Sequence, residues 1–364
     1  MKISALDLKR QYESIKGEID SAIERVISSG RYILGDEVEG FEREFAKHNG
    51  SEYAIGVGSG TDALLIVLMS LGVKGGDEVI TPAYSFTASA DVILRVGAEP
   101  VFCDVQNDFN IDPDAIENAI TKRTKAVIVV HLFGLPCDME KIMDIAREHH
   151  LFVVEDCAQA IGAEYKGRKV GTIGDVGCFS FFPTKNLSCY GDGGAIITND
   201  AGLYEVMKVI RVHGQKVKYI PERLGIKSRL DALQAAVLRV KLNYIDKWNE
   251  KRREIAKAYI EKLSGIVETP VEYPERISVY HQFTIRADRR DALREYLKEN
   301  GIETGIYYPK PLNRTPLFDG KRTVPDSCPV SDTLSQRALS LPIYPELREE
   351  EQAEVIEKIK NFYM

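Results

Sequence analysis

One tryptophan, six histidines and six cysteines are spread over 364 residues, and no apolar run approaches the roughly 20 residues that a membrane span requires. The cysteines (Cys103, Cys137, Cys157, Cys178, Cys189 and Cys328) form no C-x-x-C pair and have no histidine at metal-ligand spacing, which argues against a bound metal. Most lie in apolar, strand-like surroundings where a free thiol behaves as a small hydrophobe, so a reduced, cytoplasmic protein is expected. The opening stretch MKISALDLKRQYESIKGEIDSAIERV has no apolar core flanked by a cleavage site and does not read as a secretory signal. Positive charge is not in excess either. With 48 Lys and Arg against 55 Asp and Glu the net charge is −7, which favours solubility and argues against nucleic-acid or anionic-membrane partners. Internal repeats and low-complexity tracts are also missing.

What is present is an alternation of short Val/Ile-rich runs with amphipathic helices. Residues 8–28 and a shorter stretch after Gly35, with Val38, Phe41 and Phe45 on one face, have helical spacing. From Glu52 onward the chain reads strand, loop, helix in repetition: EYAIGVG, EVITPA, EPVFCDV, KAVIVVHLFG and LFVVEDCAQAIGA, then two more strands within 175–198. This pattern predicts an α/β domain around a largely parallel sheet. Residues 229–264 lack an internal Gly or Pro and predict one long amphipathic helix bridging to a smaller C-terminal α+β domain. The expected division is 1–240 and 241–364.

Ligands of parallel α/β sheets gather at the carboxyl ends of strands, so the residues following each strand carry the chemistry. After EYAIGVG come Ser59, Gly60 and Thr61, where glycine, hydroxyl and free helix amides make a phosphate cradle, or an ordinary capped turn. A dinucleotide fingerprint is weaker, because Thr61 falls where G-x-G-x-x-G requires its last glycine. Tyr84 and Phe86 follow EVITPA, either of them core or ring cover. Asp156 ends an apolar run and is followed by Gln159; such a carboxylate is costly to bury without a partner. In FSFFPTKNLSCYGDGGA, Ser180 and Lys185 precede a glycine-rich turn. Phosphate binder, ring face, carboxylate, amide, hydroxyl and lysine at one sheet edge together suit a phosphorylated pyridine aldehyde. Lysine would form the imine, and aspartate would hold the ring-nitrogen proton.

These residues also resemble the DegT/DnrJ/EryC1/StrS family of pyridoxal-phosphate-dependent nucleotide-sugar aminotransferases. The resemblance runs through GSGTDAL, TPAYSFTASA, VVEDCAQAIGA, FSFFPTKNLSCYGDGGA, SRLDALQAAVL, YHQFTIR and GIYYPKPLN. It implies an aspartate-aminotransferase-like fold (fold type I) with a mostly parallel seven-stranded sheet, and a homodimer with shared active sites. It further implies that Lys185 carries the cofactor, Asp156 pairs with the pyridine nitrogen, Gln159 lies near the phenolic oxygen and Phe86 stacks on the ring. Gly60, Thr61 and Ser180 would bind phosphate. Many members supply a partner-subunit Asn to the phosphate from a G-x-N-x-R segment; here Lys227 stands at that position, where it would act as a point charge. Members that dehydrate rather than transaminate replace the lysine by histidine, so the presence of Lys185 favours transamination.

The resemblance also implies glutamate as amino donor, pyridoxamine phosphate as the half-reaction form, and a keto-sugar nucleotide as acceptor. Both substrates are anionic, which makes Lys227, Arg229, Arg211 and Lys216 candidate cations, Arg229 foremost. GDGGA, YHQFTIR and GIYYP resemble enzymes that aminate C3, including those serving surface polysaccharides; a 4-keto substrate and a non-catalytic regulatory role are the alternatives. His281, Tyr308 and Asn313 are the remaining candidate substrate contacts.

Overall fold

Val79 and Ile80 are adjacent and fully buried, yet they belong to different cores, and the same is true of Val127 and Ile128 and of Val153 and Val154. Successive strand residues point to opposite faces, so such pairs require a sheet covered on both sides. The computed structural model, which describes residues 2–364, shows that sheet. Its strands are β1 (Tyr53–Val57), β2 (Glu78–Pro82), β3 (Glu99–Cys103), β4 (Thr124–Val130), β5 (Phe152–Asp156), β6 (Val176–Ser180), β7 (Gly194–Thr198) and β8 (Thr323–Val324). The spatial order is β1-β7-β6-β5-β4-β2-β3-β8. β7 alone runs against its neighbours β1 and β6; the other pairings are parallel.

The sequence predicts seven strands. The eighth is the two-residue β8, which returns from late in the chain to pair beside β3 and is too short to show a hydrophobic alternation. The single helix expected over 229–264 is two helices, α2 (Ala232–Leu242) and α3 (Ile245–Leu263). No glycine or proline breaks it. The Asn243 carboxamide donates to the Arg239 carbonyl (3.1 Å), while the Asn243 backbone N–H turns to Val240 O (3.2 Å). An Asn side chain competes with the backbone in this way. The helical stretch 8–28 is likewise divided, at Ile15, into Leu8–Ser14 and Lys16–Ser29.

Alternation also sorts the aromatic strand β6 and its extension. Phe179 and Phe181 are buried edge-on against Phe45 and Phe41 of the helix Asp36–Asn49, with ring centroids 5.1 and 5.4 Å apart. The residues between and beyond them, Ser180 and Phe182, therefore face the other way. A separate core gathers Ile255, Tyr259 and Leu263 from the later half of α3 with Phe283, Ile285, Leu339, Leu341, Val355 and Ile359, and Ile3 joins it from the chain start. The earlier half of α3 packs Ile245 and Trp248 into a core of the sheet region. α3 thus spans both hydrophobic centres.

At the carboxyl end of β5 a buried charge is fully satisfied. Glu155 accepts from the backbone N–H groups of Gly171 (2.7 Å), Ile173 (2.8 Å) and Gly174 (2.6 Å), and from His131 Nε2 (3.0 Å). His131 Nδ1 accepts from Cys137 N–H (3.0 Å), which places its proton on Nε2. Burial works against the Glu155 charge, but the His131 and amide donors prevail and hold the carboxyl below its usual range. Glu155→Ala strands four donors, two of them buried, and is expected to cost on the order of 3–5 kcal/mol, read from urea unfolding, with Glu155→Gln less costly. Because the folded pKa is depressed, this stabilisation is present above about pH 4.5 and is lost as the pH falls through the folded value.

Candidate active site

β4 and β5 end level, Val130 opposite Asp156, and Asp156 lies opposite Cys178 of β6. Two residues further along β6, Ser180 pairs with Gly194 and Gly194 with Val57. The ends of β1, β4, β5 and β6 and the start of the reversed β7 therefore share one edge. Above that edge is a cavity of about 430 Å³, within the usual range for small-molecule sites. From the sheet edge it is lined by Gly60, Thr61, Ser85, Phe86, Asp156, Gln159, Ser180 and Lys185. The second half of the chain contributes His281, Gln282, Tyr307 and Tyr308.

Helix α1 (Gly60–Ser70) has its N-terminus at this edge. Ser59 caps α1 by accepting from Asp62 N–H (3.1 Å). The N–H groups of Gly60 and Thr61 have no acceptor among the described residues. A Cβ on Gly60 would stand 2.7 Å from Ser180 Cβ, so glycine is what lets the Ser180 hydroxyl reach the helix N-terminus. Free amides, a hydroxyl and the positive end of a helix dipole form an anion site.

Lys185 and Asp156 face the same cavity. Burial lowers the Lys185 amine to about 8, with the Asp156 charge pulling the other way. Burial raises Asp156, opposed by the Ala158 N–H (3.0 Å) and by the Lys185 charge. Gln159 is oriented by its contacts: Oε1 accepts from Phe133 N–H (2.7 Å) and Nε2 donates to the Tyr308 hydroxyl (3.2 Å). The Tyr308 backbone N–H donates to Tyr84 Oη (2.8 Å).

The structure separates the two aromatics that the sequence leaves open. Tyr84 is fully buried, whereas Phe86 is 54% exposed at the cavity, its ring centroid 6.1 Å from that of Tyr308. Ser85 was assigned no role from sequence. It is 2% exposed, it lines the cavity, and its Oγ has no partner among the described residues. Its signal in the sequence was only its position between two aromatics.

Lys227, Arg229 and Asn313 are not among the lining residues of this cavity. Between the first two, the buried Ser228 hydroxyl donates to Asp62 Oδ2 (2.8 Å) and accepts from Gly58 N–H (2.9 Å). Neither Lys227 nor Arg229 pairs with an acid among the described residues. Arg211 is structural, bound to Glu42 and to the Gly56 carbonyl (2.8 Å), and Lys216 is exposed. His131, Glu155 and Cys157 lie together, but both histidine nitrogens and both carboxylate oxygens are already committed to protein partners. That cluster is a framework rather than a metal site.

The profile of the DegT/DnrJ/EryC1/StrS aminotransferase family matches residues 13–360. A pleiotropic regulatory protein of Geobacillus stearothermophilus is 49% identical over 368 residues, covering 100% of this chain and 99% of that protein. The dTDP-3-amino-3,4,6-trideoxy-alpha-D-glucose transaminase of Streptomyces venezuelae is 43% identical, covering 99% and 96%. The crystal structure of S. venezuelae DesV in complex with a ketimine intermediate superposes with a TM-score of 0.97 at 43% identity, covering 100% of this chain and 98% of that one.

The lowered Lys185 pKa has a direct readout. In cofactor-free protein, labelling by acetic anhydride, followed residue by residue in a mass spectrometer, should rise with a midpoint near pH 8 at Lys185, well below the ordinary lysine value of 10.5. Asp156→Asn removes the charge that supports the ammonium form and should move the midpoint lower still. A wild-type midpoint at the ordinary value would contradict the assigned environment.

Proposed function

Because the chain belongs to the DegT/DnrJ/EryC1/StrS aminotransferase family, we propose that it moves an amino group from glutamate to C3 of a nucleotide-linked keto sugar, for amino-sugar and surface-polysaccharide synthesis. Its reaction class is transamination of a nucleotide sugar, and its cofactor is pyridoxal phosphate. The observation that carries the reading is that Lys185 and Asp156 share one cavity with an unpaired helix N-terminus.

The residues fit the cofactor. The free amides of Gly60 and Thr61 and the Ser180 hydroxyl would hold its phosphate, and the orphaned Ser85 Oγ offers a further polar contact. Asp156 would hold a proton on the ring nitrogen, Phe86 would cover a ring face, and Gln159 would meet the phenolic oxygen. When bound, pyridoxal phosphate supplies the electron sink and the carbon that carries the amino group between half-reactions. Lys185 does the proton work. An amine with a pKa near 8 is partly neutral at physiological pH, so it can take a proton from the amino-bearing carbon and return it, a role worth roughly 10²–10⁴ in rate.

The remaining cations support a homodimer with shared sites. Val217, Tyr219, Ile220 and Leu224 are exposed, Tyr219 and Leu224 by 79% and 82%, in a segment that also carries Lys216, Lys227 and Arg229. Reaching across to a second copy would cover the apolar side chains and bring Lys227 to the cofactor phosphate and Arg229 to an anionic substrate. His281 and Tyr308 line the cavity from within the same chain and would face the sugar, a place that Asn313 does not share. C3 amination is supported by the S. venezuelae relative's name and by the GDGGA, YHQFTIR and GIYYP segments. The regulatory name of the Geobacillus relative points to a second reading, a non-catalytic protein, but such a protein has no need to keep both Lys185 and Asp156.

Purified protein should show a visible absorbance that glutamate bleaches and that Lys185→Ala abolishes. Incubation with 3-keto and 4-keto nucleotide sugars, followed by NMR location of the new amine, should place it on C3; amination at C4 overturns the regiochemistry. Lys227→Ala should release cofactor more readily on dialysis, and unchanged retention would remove Lys227 from the phosphate site.

A further inference from the structure

His281 lines the cavity and is 5% exposed. Its Nδ1 lies 3.2 Å from Asn186 Oδ1, while Nε2 has no partner among the described residues. Which nitrogen carries the proton is decided several residues away. Asn186 Nδ2 donates to Asn249 Oδ1 (2.9 Å) and to the Val279 carbonyl (3.1 Å). Asn249 Nδ2 in turn donates to the Ile161 carbonyl (2.9 Å).

Carbonyl oxygens only accept, so the chain is anchored in one direction. With its amide nitrogen committed to Ile161, Asn249 can offer only oxygen to Asn186. Asn186 must then point its nitrogen towards Asn249 and Val279, and its oxygen towards His281. Turning either carboxamide over would set oxygen against oxygen in a buried site. Space is also set aside for the relay, since a Cβ on Gly162 (φ +79) would stand 2.7 Å from Asn249 Nδ2. His281 Nδ1 therefore has to be a donor. The nearby charges are Lys185 and Arg252; burial first, and then these two cations, disfavour a second proton on the ring.

We propose that Asn186 and Asn249 are positioning residues that lock His281 as its Nδ1–H tautomer, so that the bare Nε2 accepts a hydrogen bond from a hydroxyl group of the sugar. This rests on the reading that the cavity holds a keto sugar. An acceptor-only nitrogen welcomes a hydroxyl and repels a carboxylate or phosphate oxygen, so at this point the site favours the sugar ring over either anionic end of its substrates. A site built around such a hydrogen bond discriminates against an analogue lacking the hydroxyl.

With six histidines in the chain, ¹⁵N-histidine-labelled holoenzyme gives a readable long-range ¹H–¹⁵N spectrum, and the His281→Gln variant identifies the His281 signals. Wild type should show a protonated Nδ1 and an unprotonated Nε2 through the ordinary histidine range near pH 6.5. Asn186→Leu should lose that preference and raise KM for the keto sugar about tenfold while leaving the glutamate half-reaction unchanged, a size expected for one lost hydrogen bond. Asn186→Asp keeps the size and the acceptor but adds a charge that favours imidazolium. It should raise the sugar KM at neutral pH and recover as the pH rises and the ring loses its second proton. The proposal is overturned if wild-type Nε2 is protonated, if Asn186→Leu leaves the tautomer unchanged, or if both half-reactions weaken equally. A wild-type chain that fails to turn over glutamate counts against the function itself, while the spectrum still decides the relay.

Discussion

An amine and a carboxyl group are enclosed together in a largely apolar cleft, and the burial that penalises charge on Lys185 also penalises it on Asp156. Each tempers the shift of the other. The amine is left with a pKa near 8, where a modest change in surroundings exchanges proton carrier for nucleophile. This balance requires water to be kept out and the two groups to be held at fixed places, and much of the surrounding structure serves those two requirements.

Holding them in place falls to the sheet. Hydrogen-bond register brings Val130, Asp156 and Cys178 into line and sets Ser180, Gly194 and Val57 in a row two residues beyond. Beneath this edge the carboxylate of Glu155 ties the 171–174 loop and His131 to β5 through four hydrogen bonds. Asp156, one residue further on, thus leaves a rigid support. The wall formed by His281, Gln282, Tyr307 and Tyr308 comes from far along the chain and is joined to the edge by the contacts of Gln159 with Tyr308 and of Asn186 with His281. Preorganised polar groups of this kind bear on reactivity because they need not reorganise during reaction.

The two polar networks differ in what they leave unfinished. Around Glu155 every strong donor has its acceptor, and the cluster of His131, Glu155 and Cys157 is spent on the fold. Around His281 the network ends in an unpartnered nitrogen, and Ser85 Oγ and the amides of Gly60 and Thr61 are unpartnered as well. Buried polar groups are normally satisfied, so groups left open at one cavity mark where a ligand completes the structure.

Asp156, Ser180 and Lys185 were legible in the sequence because each breaks abruptly from an apolar strand, and strand order in an α/β pattern brings such breaks to one edge. The open helix N-terminus was legible from Gly60 and Thr61 at the start of a helix. Local pattern did not decide that Tyr84 turns into the core and Phe86 into the cleft, that Asn243 interrupts the bridging helix, or that Lys227 and Arg229 lie outside the cavity lining. The sequence by itself determined the chemical inventory and its order along the strands, since periodicity and residue type are local properties. Tertiary structure alone decided which nitrogen of His281 is bare and how far burial shifts Lys185, because both depend on groups distant in the chain whose effect comes through space and a low-dielectric interior.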